Sequence, residues 1–257
     1  MRLRSPWLTV GLLVAAGAGL QLIADEEVSP FVSVNAASFA DQPVAPGSLV
    51  SGFGAGLAEK TVAAKALPLP RELDDVQVLV NGEPAPLVFV SPGQINYVVP
   101  QQTSLGTATA EVVRKGEVVA RGVVLVWQVS PGLFARDGSG EGPGSIANAD
   151  WSLNSAEKPA QRGEFIHIFG TGAGEVKPPV GDGAAATGDP LSRTTATPEV
   201  YVGGLRAEVS FSGLAPGMAA TWQIDAVIPP TVEPGPAVSL RVRIAGRFSN
   251  RVTVAIR

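Results

Sequence analysis

The residues whose types could do chemistry here are one histidine, a glycine-rich run, a few carboxylates and the tryptophans. His167 is the single histidine of a sequence without cysteine. A transition-metal site draws on several imidazole or thiolate ligands, which a lone His cannot supply. As a catalytic base, His167 would need a serine held beside it, and no Gly-x-Ser-x-Gly elbow occurs. It stands between Ile166 and Ile168, so on a strand it faces away from both. That predicts a surface or interface histidine.

Gly170-Thr171-Gly172-Ala173-Gly174 follows an apolar run and superficially suggests a dinucleotide loop. Such a loop must open a helix, and Glu175-Val176-Lys177-Pro178-Pro179 forbids one. A bend ending a strand is expected instead. Asp74 and Asp75 are adjacent, so on a strand they point to opposite faces, which does not suit the paired carboxylates of a glycosidase. Asp137-Gly138-Ser139-Gly140-Glu141 is the best run for calcium, yet it lacks the further acids of a calcium loop and reads as a flexible linker. Trp127 and Trp222 sit on or beside apolar alternations and are expected in a core or a domain interface. Trp151 lies in a polar stretch and is the one candidate for an exposed ligand contact. No catalytic residue, cofactor site or metal site is expected.

The elements that must position these residues read as strands. The 257 residues are 45% hydrophobic and 16% charged, with 30 Gly and 22 Pro. That composition suits short strands joined by turns rather than a helical bundle. Trp222, Ile224, Ala226 and Ile228 alternate with other residues, as do Leu240, Val242 and Ile244, and Val252, Val254 and Ile256. Asn81-Gly82, Lys115-Gly116 and Ala245-Gly246 fall between such runs and suit hairpin turns. Residues 58–66 have helical composition but run into Pro68 and Pro70, which predicts a loop with at most one turn.

The strand pattern occurs twice. Residues 47–56 resemble residues 163–172 at a constant offset of 116, and upstream Asn35-Ala36 matches Asn148-Ala149. Downstream, 76–85 parallels 198–207, 95–100 parallels 224–229, and 108–127 parallels 238–256. Without cysteine there are no disulfides, so each copy must be held by its own apolar core. The expected organisation is an all-β chain of two tandem Ig-like β-sandwich domains, residues 25–136 and 137–257, with a Gly-rich linker over 137–144.

Residues 1–24 read as a signal peptide. Arg2 and Arg4 precede an apolar run, and Ala16-Gly17-Ala18 fits a peptidase site, with Ala24 a second candidate. Left uncleaved, the run is about long enough to span a bilayer. The absence of cysteine excludes a lipid-anchored lipoprotein. The whole sequence carries a formal charge of −4 without basic clusters, which argues against nucleic acid and, after cleavage, against a membrane surface as partner.

Glycine, a strand, Phe-Gly-x-Gly, a Val-x-Val-x-Gly-Gly hairpin and a strand ending in Pro resemble the IPT/TIG class of Ig-like domains, in both copies. The segments "VNAASF", "VLVNGEPAPLVFVSPGQINYVVP", "PGLF", "SLNS" and "FSGLAPG" are similar to the Solibacter-type C-terminal domain family of exported acidobacterial proteins. The resemblance covers roughly residues 31–257. It implies export and an Ig-like pair, and no known activity. Members usually follow propeller or enzyme regions, whereas little chain separates the apolar N-terminal run from the module here.

The expected function is an exported, non-enzymatic interaction or adhesion module, with an extracellular protein or a polysaccharide as partner. The alternative is a carbohydrate-binding module using Trp151. N-terminal sequencing of the exported protein should begin near Gly19 or Asp25, and intact Met1 on soluble cytoplasmic protein would refute export.

Overall fold

Strands that are apolar on one side only are stable when two sheets stack those sides together. The computed structural model describes residues 28–40 and 42–257, so the expected signal peptide lies outside the described residues. Within them the chain is all β, with no helix, and no helix is long and apolar enough to cross a membrane.

Two five-stranded sheets make the first sandwich. One runs in the order Ser29–Pro30, Glu117–Val126, Gly106–Arg114, Val76–Val80, Glu83–Pro84. The other runs Val32–Asn35, Leu49–Phe53, Gln94–Val98, Leu87–Val90, Val62–Ala63. Between them lies a core that includes Phe31, Val50, Val78, Leu87, Ile95, Tyr97, Val112 and Val124. Tyr97 is fully buried and donates its hydroxyl to Ser33 Oγ at 2.9 Å. Burial pushes its phenol up to about 12, which keeps it a neutral donor.

The second sandwich repeats the central pairings of the first. Ile146–Asn148 pairs with Phe165–Thr171, which pairs with Trp222–Val227, as Val32–Asn35, Leu49–Phe53 and Gln94–Val98 do in the first copy. Glu199–Val202 pairs with Gly235–Ile244 as Val76–Val80 pairs with Gly106–Arg114. One difference is informative. Leu205–Leu214 is a single strand that leaves one sheet for the other, with a register shift between Val209 and Phe211. In the first copy the same path is broken after Glu83–Pro84 by Ala85-Pro86, because Pro86 has no N–H to give a ladder. The second core holds Leu133, Ile166, Ile168, Trp222, Ile224, Leu240, Val242 and Val254 among others.

Local chemistry sets the turns as the sequence implies. Asn81 and Gly82, Lys115 and Gly116, and Ala245 and Gly246 all have positive φ, as two-residue hairpin turns require. Residues 58–66 form no helical turn; bends lead into Val62–Ala63, which pairs with Leu87–Val90. Sheet pairing outweighed a helical composition there.

The Gly-rich segment also departs from expectation. Residues 137–144 are not a free linker. Asn250 Nδ2 donates to Gly140 O at 2.7 Å, Thr253 N to Gly142 O at 2.7 Å, and Gly144 N to Thr253 O at 2.9 Å. Val126 belongs to the first core and Val129 to the second, so the cores change over before the 136/137 division that the sequence suggests. Composition could not show that these glycines lie against a strand of the following domain.

Phe31 marks where the first strand crosses between sheets. It is buried and stacks on Tyr97 with ring centroids 6.3 Å apart. A Cβ on Gly122 would lie 1.7 Å from the Phe31 carbonyl oxygen, and one on Gly52 would lie 2.1 Å from its ring. Gly122→Ala should therefore lower stability by about 1–3 kcal/mol. Gly188→Ala, with nothing within 4 Å of the added methyl, should be near neutral. Urea unfolding of both variants decides, and equal midpoints would remove Phe31 packing as the reason for Gly122.

Candidate functional site

Asn148 begins the site. It ends the strand Ile146–Asn148, and its amide donates to Ser152 Oγ at 3.1 Å and Lys158 O at 3.0 Å. Asn154 donates back to Asn148 Oδ1 at 2.9 Å. The amide of Asn154 also makes a two-way bridge to the Ala255 backbone, at 2.9 and 2.8 Å. Two buried amides thus tie the loop over 149–158 to the last strand. Within the loop, Trp151 N donates to Asn148 O at 2.8 Å and Ser152 N to Asp150 Oδ1 at 2.9 Å. Those bonds to Ser152 hold the Asp150 carboxyl below the usual range.

Trp151 has φ +63°, a left-handed conformation that non-glycine residues rarely adopt. The closed turn holds it there and lays the indole on His167, ring centroids 3.9 Å apart and planes 7° from parallel. One face of the indole is thus covered, and the residue remains 60% exposed.

His167 comes from the strand Phe165–Thr171 and points away from Ile166 and Ile168, which are buried. Its cross-strand neighbour is Asp225. Nδ1 of His167 lies 2.8 Å from Asp225 Oδ1, and a carboxylate only accepts, so Nδ1–H donates. Gln223 Nε2 donates to the same oxygen at 2.8 Å. The result is an exposed aromatic plate backed by a fixed imidazole, carboxylate and amide. No hydroxyl is hydrogen-bonded to His167 among the described residues.

Elsewhere the sequence candidates resolve into structure. Trp222 is buried and donates Nε1–H to Ser212 Oγ at 2.9 Å. Trp127 lies between the domains, where the Arg247 guanidinium covers its ring at 3.5 Å. Asp137 accepts from Ser139 N at 3.0 Å and Ser139 Oγ at 2.7 Å, a closed turn that holds its carboxyl below the usual range. No group of three metal-ligating side chains occurs among the described residues. Gly170, Gly172 and Gly174 let the backbone approach closely. A Cβ on them would lie 2.3 Å from Gly132 O, 1.8 Å from Ser130 O and 2.7 Å from Gln128 O.

Sequence reasoning missed Asp225 and Gln223. They become visible only once Phe165–Thr171 and Trp222–Val227 are known to pair in this register, which places Asp225 beside His167. The internal repeat held a clue. At the equivalent positions of the first copy Ser51 pairs with Asn96, so this pair differs between the two copies.

The described residues are thus a tandem of two Ig-like β-sandwiches carrying an aromatic plate on the second. No family model and no curated protein matches the chain. Among solved structures it is similar to the plexin A4 extracellular region, at 13% identity and TM-score 0.30, covering 98% of this chain and 20% of that one. It is also similar to a Bacteroides ovatus mixed-linkage glucan utilization protein, SGBP-B, solved with a mixed-linkage heptasaccharide, at 12% identity and TM-score 0.33, covering 95% and 47%. A biofilm associated protein domain gives 13% identity and TM-score 0.28, covering 84% and 29%. The chain spans less than half the length of each. At such overlap the fold rests on the strand pairing itself.

Asn154→Ala should loosen the plate, since it removes buried amide bonds to Asn148 and Ala255. The expected cost is about 1–3 kcal/mol, with faster amide hydrogen exchange over 148–158 and none gained in the first sandwich. Unchanged exchange over that loop would show that the amide pair does not hold Trp151.

Proposed function

We propose that the protein is an exported, non-enzymatic binding module whose second domain takes a carbohydrate on Trp151, within the Solibacter-type family that its motifs resemble. Of the two readings that the sequence leaves, protein adhesion and carbohydrate binding, the exposed and preset indole favours the second. A sugar ring presents an apolar C–H face that packs on an aromatic plate, and polar groups beside the plate fix its hydroxyls. Trp151 is ordered before a ligand arrives, because the Asn148–Asn154 pair and the His167 stack hold it. Binding then orders little that is not ordered already, which favours affinity. Asp225 offers carboxylate oxygen beside the ring, held in place by His167 and the buried Gln223.

Affinity electrophoresis against neutral soluble polysaccharides tests this reading. One of them should retard the full chain, and Trp151→Ala should weaken that retardation about tenfold, the equivalent of roughly 1.4 kcal/mol. A bound polysaccharide that Trp151→Ala leaves equally retained would move the site elsewhere, and no retention across glucans, mannans and xylans would favour a protein partner.

A further inference from the structure

A second surface lies on the other sheet of the second domain, and its chemistry is different. Val200, Val202, Leu240 and Val242 point into the core, so their neighbours Tyr201, Arg241 and Arg243 point outward. Strand register aligns them. Arg206 lies opposite Tyr201, and Tyr201 lies opposite Arg241. The ladder continues to the last strand with Leu240 opposite Val252, and Arg251, immediately before that strand, lines one cleft with Tyr201 and Arg241.

The row Arg206–Tyr201–Arg241–Arg251 therefore crosses four strands at a right angle. At about 4.8 Å per strand it spans roughly 14 Å. The outward carboxylate of Glu199–Val202 is Glu199, already engaged by Arg206 at 3.4 Å and Arg243 at 3.5 Å, and a second, Glu208, stands two residues beyond Arg206 on the strand farthest from Arg251. Neither Arg241 nor Arg251 has an ion-pair partner among the described residues.

Arg241 is set in place. Its guanidinium lies over the Phe248 ring, 3.5 Å from the centroid, and its Nε is buried without a hydrogen-bond partner among the described residues. Tyr201, Gly204, Ser239, Arg241, Phe248 and Arg251 line a shallow cleft at this point. A concentration of unpaired arginine on a chain of formal charge −4 is a local reversal of sign.

We infer that this face binds an acidic polysaccharide, a chain bearing a carboxylate on each sugar, with Arg241 and Arg251 as the carboxylate contacts. Guanidinium forks match planar carboxylates with two parallel bonds. Ser239 and Thr253, paired across the neighbouring strands, add outward hydroxyls for the sugar ring. An acidic peptide fits less well. Extended peptides add to a free sheet edge and lie along the strands, whereas this row runs across them. The site is separate from the Trp151 plate and does not depend on it.

The probe is polygalacturonate, titrated into the full chain by calorimetry, with its fully methyl-esterified form and poly-glutamate as comparators. The acidic polymer should bind and weaken as salt rises, and the esterified polymer should not bind. The Arg241→Gln, Arg251→Gln double variant should lose at least about tenfold in affinity, with Trp151→Ala unchanged. Should the double variant fail to fold by circular dichroism, Arg251→Gln alone, at an exposed position, carries the test with a smaller loss. The inference falls if the wild-type chain does not bind, or if the folded arginine variants bind as tightly as it does. It falls equally if Trp151→Ala abolishes binding, or if poly-glutamate matches polygalacturonate at equal carboxylate concentration.

Discussion

Asn35 is 1% exposed and lies where the two sandwiches meet, and its amide group has every reason to be there. Oδ1 accepts from Ala37 N at 2.9 Å and Ser38 N at 3.2 Å, while Nδ2 donates to Ser130 O at 2.8 Å. The chain from Gln128 to Gly132 is thereby held against the first domain. On its other side it runs beside Gly170, Gly172 and Gly174, with Ser130 N donating to Gly172 O at 2.9 Å. A connection this close leaves no room for side chains, which is why glycine recurs along the seam. Further bonds extend it: Leu49 N donates to Thr171 Oγ1 at 2.9 Å, and Gln101 N to Asp182 Oδ1 at 3.0 Å. Satisfied polar groups at a buried junction set one relative placement, because any other would leave them unpaired.

The same asparagine serves two ends in the two copies. In the first sandwich it joins the domains. In the second, Asn148 occupies the equivalent place at the end of Ile146–Asn148 and instead closes the loop that carries Trp151. A capping residue that the fold requires has become the anchor of a candidate binding surface. His167 and Asp225 likewise stand where Ser51 and Asn96 pair in the first copy, so the sheet accepts either pair without change of register.

Much of this was legible before any coordinates. Period-two alternation placed the strands around Trp222 and Val252, and the repeat at 116 residues implied two equal units, because burial on one sheet face leaves a direct trace in residue order. Trp151 stood out by its polar surroundings. Other features left no such trace. Asp225 meets His167 through a pairing across 58 positions of chain, and the row from Arg206 to Arg251 is assembled from four strands. The Gly-rich stretch over 137–144 misled for the opposite reason. Its composition is that of a flexible linker, and only the presence of Asn250 and Thr253 beside it makes those glycines part of a domain. Local composition records propensity, and it does not record neighbours that arrive from far along the chain.

Each sandwich also closes with its entering and leaving segments side by side and pointing the same way. Ser29–Pro30 runs parallel to residues 120–121, and Val44 bridges Val126 in the same sense. In the second domain Pro143 is parallel to Thr253 and Ala160 to Ile256. When such a domain is pulled from its two ends, parallel neighbours slide past one another instead of peeling apart. The bonds between them then carry the load together, along the strands.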